Sequence, residues 1–290
     1  MTSKIESFGI STGKIVHSIQ DFQDILNLSV PDTNELFKSS GCLLFRGFGV
    51  THEQMKTFAK QFSSKFIQDY TRPQVNSDQF VHFVDPGMDN CLPHSEHAYS
   101  PFRPDVIWFC CAVPAAEGGE TLFWDGVRVW EELSQESKQL FLSKKLKFCY
   151  NNIPFDLLKR FASSDATIVD IKQILDGFEG VTYKINGEQT ISMEYVCSAV
   201  VKTKYGNQNA FANTFWATQK KTEEAIFEDG SRAPDEVVDE IEKVLNKLTE
   251  EISWQAGDLV MMDNSRFLHG RRAFNDTRRQ VFSTLSNLNF

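Results

Sequence analysis

The sequence has no CxxC pair, no regular cysteine framework and no run approaching the ~18 apolar residues of a membrane-spanning helix. The first two absences set aside a disulfide-stapled scaffold. The six scattered cysteines, Cys42, Cys91, Cys110, Cys111, Cys149 and Cys197, read as reduced thiols. Met1-Thr2-Ser3-Lys4-Ile5-Glu6 is no basic-then-apolar leader, so a cytoplasmic location is expected. Basic charge is also short: 30 Lys and Arg stand against 39 Asp and Glu, a formal net charge of -9. Neither nucleic acid nor an anionic membrane is then expected as a partner, because phosphate binding needs a clustered basic surface. There is no internal repeat, no low-complexity linker and no H-E-x-x-H helix. What is present is an ordinary globular composition, 41% hydrophobic and 24% charged, with 25 phenylalanines. At 290 residues it can bury a large core unaided.

Local patterns place the elements. Cys42 to Phe48 reads as a short buried strand, and Thr51 with Gln54 forms a capping box opening a helix to about Phe62. Residues 63–79 are polar and read as irregular, Phe80 to Val84 alternates as a strand, and Asp85 to Ser100 reads as a loop or strand edge. Val106 to Val113 is an apolar strand stopped by Pro114, so Cys110 and Cys111 should face opposite ways. A Gly118-Gly119 turn leads to a strand from Glu120 to Trp124, and Asp125 can cap the next helix. Helix and strand signals alternate over 135–250. They end in a helix begun by Pro234 and two acids, with Val237, Ile241, Val244 and Leu248 on one stripe. Leu259 to Asp263, with His269-Gly270-Arg271 following at its far end, and Arg279 to Leu285 are the closing strands. Strands near both ends favour one β-rich domain over 1–290, mainly β with helices (α+β), with a helix-rich insert at about 150–250.

Pro93-His94-Ser95-Glu96 and the distant His269 carry the chemistry. His and Glu two residues apart project to one side of an extended segment. With a third ligand they cover one face of a metal, the two-His-one-carboxylate set of non-haem Fe(II) oxygenases. Alone, a His-x-Glu reads as well as a solvated or hydrogen-bonded pair on a loop.

The context decides. His94-Ser95-Glu96-His97-Ala98-Tyr99-Ser100, Pro104 to Phe109, Gly118-Gly119-Glu120-Thr121, Gly257 to Asn264 and His269-Gly270-Arg271 stand in one order. Together, over roughly 40–290, they resemble the Fe(II)- and 2-oxoglutarate-dependent dioxygenases of the TauD/TfdA superfamily. The resemblance implies a double-stranded β-helix (jelly-roll) core with peripheral helices and a helical insert. It also implies Fe(II) held by His94, Glu96 and His269, with 2-oxoglutarate and O2 as co-substrates. The implied reaction is oxidative decarboxylation of 2-oxoglutarate coupled to oxidation of an unactivated C–H, most simply hydroxylation; desaturation and cyclisation follow the same opening step. The family usually writes the carboxylate as Asp. Glu96 is the variant of its clavaminate-synthase-like and asparagine-hydroxylase-like members, and it speaks against a halogenase, where the carboxylate is given up.

The co-substrate's distal carboxylate calls for a guanidinium. Arg278 and Arg279 follow His269 by nine and ten residues and face opposite ways, so only one can enter the site. Gapless alignment on trimethyllysine-hydroxylase-like relatives favours Arg278; alignment on taurine dioxygenase selects Arg279. Thr121 matches the family threonine that contacts 2-oxoglutarate, and otherwise reads as a β-branched strand residue. His97 has the wrong parity to join Glu96, and His52 and His82 read as structural or solvated. Arg271 and Arg272 suit a substrate carboxylate or surface charge equally. Asn213, Tyr99 and Trp124 are candidates to line the pocket against a core reading. The implied substrate is a small molecule, an amino acid or its derivative, free or attached to a carrier protein, in specialised metabolism. A trimethylammonium compound is the alternative suggested by His269-Gly270-Arg271, and would want an aromatic cage. A zinc hydrolase would leave the arginine and Thr121 without use, and a decayed binding protein would be expected to have lost a ligand.

Overall fold

The computed structural model describes residues 3–20, 23–69, 72–84, 87–159, 165–187, 189–221 and 226–290. Asp85, where the expected 85–100 loop begins, and the leader residues Met1 and Thr2 lie outside the described residues.

The long apolar strand Val106–Val113 is central because both its faces are buried. Val106, Trp108 and Cys110 pack outward against helices Val30–Ser40 and His52–Lys60; Ile107, Phe109 and Cys111 face inward. The two adjacent cysteines therefore do lie on opposite faces, as strand parity requires. On either side it pairs antiparallel with Leu259–Asp263 and Gln280–Leu288. Among the described residues the larger sheet runs Lys4–Ser7, Lys14–His17, Cys42–Arg46, Leu259–Asp263, Val106–Val113, Gln280–Leu288, Asp78–Phe83 and Gln74–Val75, with Ser63–Ile67 also on the Gln280–Leu288 strand. A second sheet runs Glu250–Ile252, Thr121–Asp125, Phe267–Arg271 and Cys91–His94. Inward residues of both sheets, among them Phe109, Val260 and Leu285 from one and Phe123, Ile252 and Phe267 from the other, form a shared core. Two such sheets, face to face, make the jelly roll.

Local chemistry explains the corners. Thr51 and Gln54 make the capping box, although the helix stops at Lys60. Asp125 accepts from Val127 N and also takes a forked pair of hydrogen bonds from buried Arg266 at 3.0 and 2.7 Å, tying helix Gly126–Glu132 to the second sheet. Gly118 has φ +72°, and a Cβ there would stand 2.2 Å from the Ala273 carbonyl, so that turn admits only glycine. The apolar stripe of Asp235–Leu248 buries Ile241, Val244, Leu245 and Leu248.

Three expectations need correction. Residues 63–79 are not irregular throughout: Ser63–Ile67 pairs with the final strand, a long-range partner that its polar composition could not announce. The helix-rich insert carries a three-stranded antiparallel sheet of Lys145–Pro154, Thr190–Ser198 and Val181–Asn186. Finally, His269 does not trail the strand ending at Asp263. It sits in its own strand in the second sheet, because the chain turns between Asn264 and Arg266 and changes sheets.

Candidate active site

The second sheet brings the candidate ligands together. His94 ends its strand and is the register partner of His269, with their ring centroids 4.4 Å apart. Glu96 lies just past the strand, in a turn rather than on extended chain. What holds it there is Asn264, fully buried: its Oδ1 accepts from Glu96 N at 2.7 Å, and its Nδ2 donates to Glu96 O and Pro104 O, both at 2.9 Å. Ser95, between the two ligands, is anchored through its hydroxyl to Phe267 O and through its N–H to Asn213 O. Ser95 and the Glu96 backbone are thus both pinned to distant parts of the chain.

One ligand atom from each of His94, Glu96 and His269 can be chosen so that all lie within 4.8 Å of one another. The donor chemistry fits a divalent metal. His94 Nδ1 donates to Leu92 O at 2.8 Å, which leaves the Nε2 lone pair for a metal. Among the described residues neither ring nitrogen of His269 makes a hydrogen bond, although the side chain is buried; Nε2 stands 3.5 Å from Glu96 Oε2. Burial, with His94 alongside, pushes the His269 imidazole down to about 4, so it is neutral and able to donate a lone pair at pH 7. Burial works against the charge on Glu96, but the Arg72 guanidinium together with His269, His97 and His94 more than offsets it and holds the carboxyl well below the usual carboxylate range. Burial opposes protonation of His94, but the Cys91 thiol and the Glu96 carboxylate push its imidazole up in the metal-free protein, so a metal must displace its proton; two imidazole nitrogens and one anionic oxygen then match an iron(II) site.

Arg72 was not among the sequence candidates. It donates to Glu96 Oε2 at 2.8 Å, and its Nε lies 3.3 Å from Asp69. No motif marks it, since it lies in the stretch read as irregular. His97 is buried at left-handed φ (+52°), with Nε2 3.7 Å from Glu96 Oε1 and 4.0 Å from Asp69. The turn, not strand parity, places it there, against the Glu96 oxygen that does not face His269. His82 is fully buried, while His52 packs on Phe282 and pairs with Glu53.

The trio opens into a cavity of about 420 Å³ between the sheets, walled by residues from both and by helix Phe215–Lys221. Thr121 lines it, its hydroxyl accepting from Trp254 Nε1 at 3.0 Å. The two arginines part company. Arg279 lines the cavity, donating to Gly119 O at 2.9 and 3.2 Å and lying over Phe274, and burial pushes its guanidinium down to about 10. Arg278, favoured by the gapless alignment, points into solvent with its side chain 78% exposed and pairs with Asp276. That preference is corrected: Arg279 N closes a turn onto Asp276 O, and the strand parity set there sends residue 278 outward.

Of the weaker candidates, Tyr99 and Arg271 line the cavity, and Arg271 donates to Gly87 O and Asp89 O. Arg272 pairs with Glu251 outside it. Asn213 is turned away, donating to Ala199 O and accepting from Phe215 N, and Trp124 is core, donating to Leu245 O. Among described helices none is long and apolar enough to cross a membrane.

Known proteins share this architecture. The dapdiamide synthesis protein DdaC of Enterobacter agglomerans is 23% identical over 272 residues, covering 84% of this chain and 82% of that protein. A 3-((Z)-2-isocyanoethenyl)-1H-indole synthase of Fischerella ambigua (strain UTEX 1903) is 20% identical, covering 90% and 87%. Among solved structures, the PvcB protein of Pseudomonas aeruginosa superposes with a TM-score of 0.65 at 14% identity, covering 99% of this chain and 92% of that one. AAD-2 in complex with Mn(II) and N-oxalylglycine gives 0.64 at 16%, covering 100% and 98%. The profile of the taurine catabolism dioxygenase TauD, TfdA family matches residues 8–285. The chain belongs to that family, and as a member it is an Fe(II)- and 2-oxoglutarate-dependent oxygenase.

Proposed function

We propose that the protein oxidises an unactivated C–H of an amino acid or an amino-acid derivative bearing an anionic group, most simply by hydroxylation. The observation that carries this reading is the charge of the cavity wall. Arg72 is matched by Asp69 and Glu96, and Arg271 is engaged with Gly87 O and Asp89 O, but Arg279 and Lys221 also line the space. One of these two cations suffices for the distal carboxylate of 2-oxoglutarate; the other suits a second anion, such as a substrate carboxylate or the phosphate of a carrier arm. The same cations oppose a trimethylammonium substrate, and among the described residues Tyr99 and Phe109 are the aromatic side chains other than histidine that line the cavity, short of a cage. The names of DdaC and of the isocyanoethenyl-indole synthase, both of biosynthetic pathways, support a role in specialised metabolism.

In this reading His94, Glu96 and His269 hold the iron. When bound, iron and 2-oxoglutarate supply the oxidising chemistry: O2 and 2-oxoglutarate are consumed, succinate and CO2 leave, and one oxygen atom enters the substrate C–H. The chain's own residues arrange the reactants. Arg279 and the Thr121 hydroxyl receive the distal carboxylate, at the cavity wall next to His269. Phe109 packs edge-on against the His269 ring at 5.4 Å, keeping water from that side. Thr214, Thr218 and Lys221, at helical spacing, also line the cavity, and the buried Thr214 hydroxyl, which makes no hydrogen bond among the described residues, suits a polar substrate group.

The test is succinate formation from 2-oxoglutarate with Fe(II) and ascorbate, against free amino acids, carrier-bound aminoacyl groups and trimethylammonium compounds. Stimulation by one of the first two classes supports the reading and separates free from carrier-bound substrate. Stimulation by the trimethylammonium class alone would overturn it.

A further inference from the structure

A glutamate ligand has one more rotatable bond than the aspartate usual in this family, and its carboxylate must be fixed by something else. Glu96 has two sets of neighbours to choose between. Oε2 stands 3.5 Å from His269 Nε2, on the metal side, whereas Oε1 stands 3.7 Å from His97 Nε2. Asp69, Glu96 and His97 form a second group of potential ligand atoms within 4.8 Å of one another, sharing Glu96 with the first. Between the two groups lies the Arg72 guanidinium, with Nη2 2.8 Å from Glu96 Oε2, Nε 3.3 Å from Asp69 Oδ2 and Nη1 3.4 Å from Ser283 Oγ. Its side chain is only 14% exposed.

We propose that Arg72 is a positioning residue that holds the Glu96 carboxylate as a one-oxygen metal ligand. This rests on the metal reading of His94, Glu96 and His269. A planar fork anchored on Asp69 and the Ser283 hydroxyl is itself immobile. It therefore fixes both the torsion of Glu96 and which oxygen faces the histidines. That oxygen has a lone pair for the guanidinium and another for the metal. Because the guanidinium also stands against Asp69, it occupies the cation position of the second group, so Glu96 is not drawn toward His97. A one-oxygen ligand leaves more of the coordination sphere for co-substrate and O2 than a two-oxygen one.

The sign of the effect separates positioning from simple electrostatics. Removing a cation beside a dication site should, by Coulomb attraction alone, tighten metal binding. Loss of a positioning partner weakens it, by roughly 10–100-fold. The experiment is isothermal titration of the full-length protein with Co(II), without turnover, for wild type, Arg72→Gln, Arg72→Lys, Glu96→Asp and the Arg72→Gln/Glu96→Asp double variant. Thermal unfolding of each metal-free protein checks that it is folded. We expect one Co(II) per wild-type chain and roughly 10–100-fold weaker binding by Arg72→Gln. Arg72→Lys should lie between them, keeping the charge but not the fork. In the Glu96→Asp background, where the shortened side chain no longer reaches Arg72, the further loss should nearly vanish.

Should Arg72→Gln fail to fold, Arg72→Lys in the two backgrounds carries the same comparison. Unchanged or tighter Co(II) binding by the Arg72 variants, or equal losses in both backgrounds, would overturn the proposal while leaving the metal site standing. A wild type that binds no Co(II), or a His94→Ala variant that binds it equally well, would instead sink the metal reading itself.

Discussion

His94 and His269 are register partners on adjacent antiparallel strands, so the sheet ladder sets their separation. Each strand is further fixed, the first by Ser95 bonding to Phe267 O and the second by its pairing with Thr121–Asp125. Replacing either imidazole with a methyl group leaves that ladder intact. His94→Ala and His269→Ala should each reduce iron-dependent succinate formation to the level of iron-free protein. Metal-free melting temperatures should stay within about 4 °C of wild type. Substantial turnover by either variant would remove that histidine from the site.

The arginine pair makes a sharper distinction. Arg279→Ala removes a partly buried guanidinium from the cavity wall, and truncating one partner of such a charge pair costs about 2–5 kcal/mol. The KM for 2-oxoglutarate should rise at least about 30-fold, with a smaller effect at saturation. Arg278→Ala removes a solvated side chain paired to the half-buried Asp276, and should leave KM unchanged. Steady-state kinetics in 2-oxoglutarate decides, and the reverse pattern would restore the alignment's preference for Arg278.

That pair also marks how far the sequence could be read. Parity within an uninterrupted strand was legible: the opposite facing of Cys110 and Cys111 follows from apolar residues on both sides of them. Caps were legible too, because Thr51 and Gln54, or Asp125 and Val127, interact over two or three residues. The trio of His94, Glu96 and His269 was assembled from motif order, not from geometry. Arg278 against Arg279 was not decided, because one residue of register reverses every side chain and the turn that sets it is made by Asp276 O. Arg72 reaches Glu96 across 24 residues and Asn264 across 168, and no periodicity spans such separations.

Asn264 shows what such a contact contributes. Its amide satisfies Glu96 N–H, Glu96 C=O and Pro104 C=O, all in the interior. Asn264→Ala leaves these groups without that partner, at about 1–3 kcal/mol for each buried group left unsatisfied. We expect the variant to lose about 3 kcal/mol or more in urea unfolding and to bind iron more weakly, since the turn bearing Glu96 loosens. Asn264→Asp, which keeps the acceptor but sets a buried carboxylate oxygen against both carbonyls, should lose at least as much. Unchanged stability in Asn264→Ala would mean that the turn is held by other means.

Acid should destabilise the metal-free protein through His269. Its imidazole is pushed down to about 4 in the folded state by burial, with His94 adding to the effect, whereas the unfolded side chain titrates near 6.5. Between those values the unfolded chain binds more protons than the folded one, so stability falls as pH drops from about 6.5 to about 4 and then levels off for this group. The loss attributable to it is about 3 kcal/mol. Burial also lowers His82, which contributes with the same sign, so wild type alone does not isolate the effect. His269→Gln does, because it removes the titrating ring while keeping a side chain of similar reach. Urea midpoints measured across pH 4–7 on metal-free protein should slope less steeply in His269→Gln than in wild type. Metal, which binds only the neutral imidazole, should steepen the wild-type slope further. Parallel curves for the two proteins would mean that His269 is not the buried neutral ligand described above.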